Sequence, residues 1–148
     1  MILFETDNWK VIFVNWEQEF IGTCIISNKN KRQHLHKLKD EEWQKLGKIE
    51  KMLEIINKKL FNSTMFNFCC LMNNAYKDNE TPIVHFHFVP RYNREVTIFN
   101  KKYIDKHFGY NFWKWALDKE KAQKNVFTSD EINQIYELMK KEIVNYDF

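Results

Sequence analysis

The chain has 148 residues, of which 44% are hydrophobic and 16% aromatic, a composition typical of a globular protein rather than a disordered one. Its formal net charge of +3 is too small to argue for nucleic-acid binding, which usually relies on a strongly basic surface. No stretch approaches the ~18 apolar residues of a membrane span, and the N-terminus lacks the pattern of a secretory signal. The three cysteines include no Cys-x-x-Cys pair and are expected to be reduced. We therefore expect one cytoplasmic domain over residues 1–148, with no membrane partner.

Two segments rich in β-branched and aromatic residues, Trp9–Asn15 and Phe20–Ser27, predict a β-hairpin or short meander near the N-terminus. A polar connection over Asn28–Lys39 leads to a helix that begins at Asp40. Apolar residues in this helix recur every three or four positions, which is the spacing of one buried helical face. They are Trp43, Leu46, Ile49, Leu53, Ile56 and Leu60.

The second half of the chain begins with an apolar segment, Thr64–Met72, that predicts a buried strand. A polar turn at Asn73–Glu80 separates it from a further predicted strand, Thr81–Tyr92, with the sequence TPIVHFHFVPRY. An irregular region then precedes a final helix, whose start is marked by a capping box of Thr128 and Glu131. The expected buried stripe of this helix consists of Ile132, Ile135, Tyr136, Met139 and Ile143.

The predicted order of elements is two strands, a helix, two strands and a C-terminal extension that ends in a helix. Short turns between the paired strands favour an antiparallel sheet with helices packed against it. The predicted fold class is therefore α+β rather than a doubly wound parallel sheet.

Two of the five histidines, His85 and His87, lie in the strand predicted at Thr81–Tyr92 and are separated by one apolar residue. Alternate side chains of a strand point to opposite faces, so both imidazoles are expected on one face together with Ile83 and Val89. Two imidazoles side by side suit phosphate chemistry or a metal ion. The alternative is a half-buried strand that carries two incidental histidines.

A neutral imidazole can attack phosphorus and leave again, which divides the cleavage of a phosphoanhydride into two easier steps. The attacking ring must be oriented through its other nitrogen, while a second histidine protonates the leaving group and polar amides hold the phosphate oxygens. His85 and His87, with Asn73 and Asn74 in the preceding turn, provide these groups. No Gly-rich phosphate-binding motif is present in the sequence, so such a loop is excluded as the explanation.

The segment LMNNAYKDNETPIVHFHFVPRY resembles the histidine triad (HIT) superfamily of nucleotide hydrolases and transferases. Its signature is His-x-His-x-His followed by apolar residues and often Pro-Arg, on a strand preceded by an Asn-containing turn. Ile83 takes the first triad position, His85 the middle one and His87 the last. The resemblance implies that His85 is the nucleophile of a reaction at the α-phosphate of a nucleotide, forming a covalent nucleotidyl intermediate. It also implies that His87 contacts the scissile phosphate and assists the leaving group.

Two departures from the signature bear on activity. Ile83 replaces the first histidine, whose backbone carbonyl helps to orient the middle histidine in the family, and isoleucine also supplies a carbonyl. The Gly-Gln pair expected before the triad is replaced by Glu80 and Thr81. An acidic group there either disfavours a polyphosphate or marks a different leaving group, so dinucleoside polyphosphates and nucleoside phosphoramidates are both open as substrates.

The resemblance implies further contacts to the nucleotide. Asn73 or its neighbour Asn74 matches the turn amide that contacts phosphate, and Asn15 matches the residue at the end of the first strand that binds the ribose hydroxyls. Gly22, seven residues after Asn15, keeps the spacing of that hairpin. Arg91 either neutralises phosphate or is an exposed arginine at the strand end.

The similarity covers about residues 9–92, including a stretch, HLHKLKDEEWQKL, that resembles the lead into the family's long helix. It implies a HIT-like domain with residues 93–148 as a C-terminal extension, a homodimer, and no cofactor. Within the extension, the aromatic tract Tyr103–Trp115 either forms a wall that stacks on a base or seals a core or a subunit contact.

Two alternatives differ in class from a HIT-type enzyme. One is a non-catalytic nucleotide-binding module that kept the fold after loss of the first histidine. The other is a metal-dependent enzyme that uses His34, His36, His85 and His87 as ligands. No acidic residue falls at a recognisable ligand spacing, so His34 and His36 are expected to be solvated loop residues and no metal is assigned.

Overall fold

The computed structural model describes residues 1–16, 18–110 and 126–146. The strands in this part of the chain are β1 (Ile2–Glu5), β2 (Trp9–Phe13), β3 (Cys24–Asn28), β4 (Met65–Cys70), β5 (His85–Arg91), β6 (Val96–Ile98) and β7 (Lys101–Tyr103). The α-helices are α1 (Asp40–Phe61), α2 (Asn73–Lys77) and α3 (Ser129–Val144), and a single 3₁₀ turn spans Leu35–Lys37. This set of elements confirms the predicted α+β class.

The histidine strand lies inside the main sheet, which has five strands in the order β1-β2-β3-β5-β4 and is antiparallel throughout. On one side of β5, Ser27 of β3 lies opposite His85, and on the other side Cys69 of β4 lies opposite His87. The two remaining strands, β6 and β7, form a separate antiparallel pair. Because β5 has a partner on both sides, its backbone is held rigidly where the two histidines project.

The long helix α1 covers one face of the sheet, as its apolar spacing predicts. Leu46, Ile49, Leu53 and Ile56 are buried, whereas Trp43 stays 42% exposed and contacts the edge of the Phe86 ring at a centroid distance of 6.1 Å. A capping box at Lys39 and Glu42 begins the helix, and Asn62 in the left-handed conformation ends it.

The C-terminal helix α3 packs beside α1 and against β1. All five residues of its predicted stripe are buried, and the capping box of Thr128 and Glu131 is formed as predicted. The Tyr136 hydroxyl donates to the Ile2 carbonyl at 2.7 Å, and Lys59 of α1 pairs with Glu142 at 2.6 Å. These contacts hold the N-terminal strand and both long helices together on one side of the sheet.

The helices pack against one face of the sheet, and the histidines lie on the other. Phe86 and Phe88 of β5 point toward the helices and stack on Phe68 and Phe66 of β4, with centroid distances of 4.9 and 4.7 Å. The opposite face carries the two histidines, which are half-buried and not covered by α1 or α3. The predicted division of β5 into a histidine face and a phenylalanine face is therefore confirmed.

Several boundaries differ from those predicted. β3 begins at Cys24 rather than Phe20, because the preceding residues form a turn around Gln18, which donates to the Val14 carbonyl and accepts from the Gly22 amide. The polar segment Asn73–Glu80 contains the short helix α2 instead of being turn throughout. Strands β1, β6 and β7 were not predicted. Within the described residues, no helix is both long enough and apolar enough to span a bilayer.

Candidate active site

The two histidines of β5 form the centre of the candidate site. Their ring centroids are 5.2 Å apart, and the rings meet edge to face at 66°. Ser27 and Ile25 flank them from β3, and Cys69 flanks them from β4. Both imidazoles are half-buried at this place on the sheet.

The His85 ring is oriented by the backbone two residues before it. Its Nδ1 atom lies 2.8 Å from the Ile83 carbonyl oxygen. A carbonyl oxygen can only accept a hydrogen bond, so this contact assigns the proton to Nδ1 and leaves the Nε2 lone pair free. An imidazole in this tautomer has its nucleophilic nitrogen on the side away from the backbone. The contact is the one that the resemblance implies for the carbonyl of the first triad position.

His87 is held in its neutral form. Partial burial disfavours the imidazolium, and the neighbouring His85 adds to the effect, so that the pKa of His87 falls to about 4 from an ordinary value of 6.5. At neutral pH the pair therefore carries no positive charge on His87 before a ligand binds.

The thiol of Cys69 lies beside this pair, which the sequence did not suggest. Its register partner on β5 is His87, and its Sγ atom is 3.9 Å from the His87 carbonyl oxygen. Burial, together with the adjacent Cys70, raises the pKa of Cys69 to about 11. Cys69 is thus a neutral thiol at physiological pH and a poor nucleophile.

The amides predicted to contact the nucleotide are exposed. Asn73 and Asn74 occupy the first turn of α2, directly after β4, and Asn15 follows the end of β2. In the described part of the chain no hydrogen bond joins these side chains to His85 or His87, so their roles stay predictions. The structure does explain the glycine at position 22, because its φ of +86° requires glycine.

Arg91 is buried, in contrast to the exposed strand-end arginine that the sequence also allowed. It is 1% exposed, and its Nε atom pairs with Asp105 at 2.6 Å. The remaining guanidinium N–H groups donate to Asp105, Asn67 and the carbonyl oxygens of His107 and Tyr110. These contacts account for all five donors, so a phosphate would have to displace one of them. Asp105 gave no signal in the sequence, because it lies fourteen residues beyond Arg91 outside any motif.

The second histidine pair lies outside β5, in the segment that precedes α1. His34 and His36 are exposed at the 3₁₀ turn and stack on each other, with centroids 5.4 Å apart and planes inclined by 16°. Among the residues that the structure describes, no group of three or more His, Cys, Asp or Glu side chains is arranged to hold a metal ion. The four histidines therefore do not form the metal site considered from the sequence.

The aromatic tract is only partly described. Tyr103 is buried, and its hydroxyl donates to the Glu19 carbonyl at 2.7 Å, so this residue seals a core. Tyr110 is 62% exposed. Residues 111–115 lie outside the described residues, and the choice between a wall for a base and a subunit contact stays a prediction for them.

The antiparallel sheet with the long helix on one face is similar in fold to solved structures of histidine triad proteins. A hypothetical histidine triad nucleotide-binding protein from Sulfolobus tokodaii strain7 is similar with a TM-score of 0.64 and 10% identity, over 97% of this chain and 83% of that one. A Plasmodium falciparum diadenosine triphosphate hydrolase, solved in complex with Cyclomarin A, is similar with a TM-score of 0.60 and 15% identity, over 97% of this chain and 76% of that one.

The NitFhit protein of C. elegans is similar over 95% of this chain, with a TM-score of 0.57 and 18% identity. The chain spans 27% of the length of NitFhit, so the likeness concerns one part of that protein. No protein-family model matches the chain, and no curated protein sequence does. At these identities the likeness shows the fold, and the chemistry must be argued from the side chains.

Proposed function

We propose that the chain is a nucleotide hydrolase or nucleotidyl transferase of the histidine triad type, acting at the α-phosphate through a covalent nucleotidyl-histidine intermediate. The observation that carries this proposal is the 2.8 Å contact between His85 Nδ1 and the Ile83 carbonyl oxygen. It supports a nucleophilic role because it frees Nε2 in a fixed direction, as covalent catalysis by an imidazole requires. The likeness in fold to a diadenosine triphosphate hydrolase also supports the proposal.

In the first step, the Nε2 lone pair of His85 forms a bond to phosphorus while the bond between phosphorus and the leaving atom breaks. The leaving group takes a proton from His87. An anionic phosphate beside His87 favours its imidazolium form and raises its pKa from about 4. In the second step water, or another acceptor, gives its proton to the now neutral His87 and attacks phosphorus, the bond to His85 breaks, and the nucleoside monophosphate is released or transferred.

The remaining contacts of the proposed site follow the resemblance. Asn15 binds the ribose, Asn73 or Asn74 holds phosphate oxygens, and Ile83 supplies its carbonyl from the first triad position. The buried Arg91 supports the sheet rather than the phosphate, because its donors are satisfied by Asp105 and its neighbours. We propose a homodimer as the functional state and no cofactor.

A non-catalytic nucleotide-binding module is the second candidate. The observation that favours it is Ile83 itself, since isoleucine offers no imidazole at the first triad position. Such a module would bind a nucleoside monophosphate without turnover.

The deciding experiment measures nucleoside monophosphate release from diadenosine polyphosphates and from adenosine phosphoramidates. We expect turnover by the wild type and a loss of at least about 10³-fold in His85→Asn, which removes the nucleophile. His36→Asn is the matched control, because it removes an exposed histidine that has no assigned role, and it should leave the rate unchanged. Mass spectrometry of the wild type denatured at alkaline pH, where a phosphorus–nitrogen bond to histidine survives, should detect a nucleotidyl group that is absent from His85→Asn.

The outcomes separate the two candidates. A wild type that binds AMP yet turns over none of these substrates would favour the binding module. Equal rates for the wild type and His85→Asn would show that His85 is not the nucleophile.

A further inference from the structure

The peptide unit between Ile83 and Val84 links the His85 ring to the segment that follows β3. The peptide between Ile83 and Val84 accepts from His85 Nδ1 through its carbonyl oxygen, at 2.8 Å. Its N–H group, at the other end of the same planar unit, donates to the Arg32 carbonyl oxygen at 2.7 Å. Because a peptide unit is planar, the direction of its N–H bond fixes the direction of its carbonyl. The segment that holds the N–H group of Val84 therefore also sets the direction of the Ile83 carbonyl, which accepts from His85.

That segment runs from Asn28, the last residue of β3, to Arg32, and is called the 28–32 loop below. The backbone N–H group of Asn28 donates to the Val84 carbonyl at 3.0 Å. The loop therefore bonds to both the N–H group and the carbonyl of Val84. The Arg32 amide in turn donates to Asn28 Oδ1 at 3.2 Å, which closes the loop on itself. Lys31 has a positive φ of 53°, so the loop needs specific anchors to keep its shape.

The anchor of the loop is the carboxylate of Glu42, which is 0% exposed. Oε1 accepts from the side-chain amides of Asn28 and Asn30, at 2.9 and 3.0 Å. Oε2 accepts from the Arg32 guanidinium at 3.2 Å and from the Lys39 amide at 2.8 Å. Although burial raises the pKa of Glu42, the hydrogen bonds and Arg32 outweigh it and lower this pKa to about 2. The carboxylate is therefore charged throughout the physiological range.

We propose that Glu42 is a positioning residue for His85, acting through Arg32 and the Ile83–Val84 peptide. This inference rests on the proposed function, in which His85 Nε2 is the nucleophile. The carboxylate fixes the loop, the loop fixes the peptide, and the peptide holds His85 in the tautomer that leaves Nε2 free. Consecutive hydrogen bonds that share a peptide unit polarise one another, which strengthens each bond. The network thus fixes the orientation of the His85 ring through the backbone of Ile83, whose side chain offers no imidazole.

A purely structural role for Glu42 would affect stability alone, so the test reads the state of His85 directly. Nitrogen-15 NMR distinguishes the Nδ1–H and Nε2–H tautomers of a neutral histidine. In the wild type we expect His85 as the Nδ1–H tautomer. In Glu42→Gln, which keeps the shape and removes the charge, we expect a mixture of tautomers and a fall in kcat of about 10- to 100-fold with little change in KM.

Glu131→Gln is a matched control. Glu131 is also the third residue of a capping box and also pairs with a cation, Lys101 at 2.6 Å, but it lies at the start of α3. This variant should keep the His85 tautomer and kcat of the wild type. Should Glu42→Gln fail to fold, Arg32→Met decides the question, because it removes the ion pair and keeps the Arg32 carbonyl.

An unchanged His85 tautomer and an unchanged kcat in a folded Glu42→Gln or Arg32→Met would overturn the proposal. The tautomer measurement needs no turnover, so it separates this inference from the proposed function. A wild type that is inert yet shows the Nδ1–H tautomer, lost in Glu42→Gln, would refute catalysis and retain the positioning network.

Discussion

The environment of His87 determines how it can act on a phosphate. Burial and the adjacent His85 lower the pKa of His87 to about 4 in the free protein. A bound phosphate reverses the balance, because an anion within hydrogen-bonding reach stabilises the imidazolium. We therefore expect the NMR titration of His87 to show a pKa far below 6.5 without ligand and a clear increase when AMP is added.

His87→Asn provides the control for that titration, because the signal assigned to His87 must be missing from its spectrum. If the pKa of His87 did not change in AMP-saturated protein, His87 would not contact the phosphate, and its assignment as the proton donor would have to be abandoned.

The placement of the two histidines could be predicted from the sequence. The alternation of a strand places His85 and His87 on one face, and the structure confirms that placement. The burial of Arg91 could not be predicted, because its partner Asp105 is brought to it by the path of the chain after β7. Glu42 was also missed. Its capping box begins with Lys39 rather than the usual Ser, Thr, Asp or Asn, so the only signal was an acidic residue in the first turn of the helix.

The turn before β3 depends on a glycine. Gly22 has a φ of +86°, and a Cβ atom there would collide with the side chain of Asn57 in α1. We expect Gly22→Ala to lower the free energy of unfolding by more than about 2 kcal/mol, since the backbone conformation and the collision both oppose it. Urea unfolding of the variant measures this change.

The other two glycines are controls that separate the cost of the backbone conformation from the cost of the collision. Gly109 has a similar φ of +82°, and no described residue other than its chain neighbours lies within 4 Å of its Cβ position, so Gly109→Ala should cost about 1–2 kcal/mol through the backbone conformation. Gly47 lies in α1, where the described part of the chain also leaves its Cβ position without a neighbour, so Gly47→Ala should stabilise the protein by up to about 1 kcal/mol. A cost for Gly22→Ala no larger than that for Gly109→Ala would contradict the close contact with Asn57.

Among the elements, the long amphipathic helices were the most predictable. The sequence predicted that α1 begins at Asp40 and that α3 begins after Thr128, and both helices begin there in the structure. Short strands such as β1, β6 and β7 contain three or four residues each, which is too few for a periodic pattern to stand out. Their pairing depends on tertiary contacts that the local sequence does not encode.

The molecule as a whole should lose stability in acid in two steps. The pKa of His87 is about 4 in the folded protein and 6.5 ordinarily, so the unfolded chain binds more protons between these values. The stability associated with neutral His87 is thus complete above pH 6.5 and is lost as the pH falls toward 4. The pKa of Glu42 is about 2 in the folded protein and 4.5 ordinarily, so its contribution is complete above pH 4.5 and is lost toward pH 2.

The two steps can be separated by urea unfolding of the wild type, His87→Asn and Glu42→Gln over a series of pH values. His87→Asn should flatten the dependence between pH 6.5 and 4 and leave the lower step in place. Glu42→Gln should remove a contribution of about 3 kcal/mol between pH 4.5 and 2, since each unit of pKa shift corresponds to about 1.4 kcal/mol. A lower step that persists unchanged in Glu42→Gln would show that other carboxylates cause it. In that case the Glu42 carboxylate would not be held as tightly as its four hydrogen bonds imply.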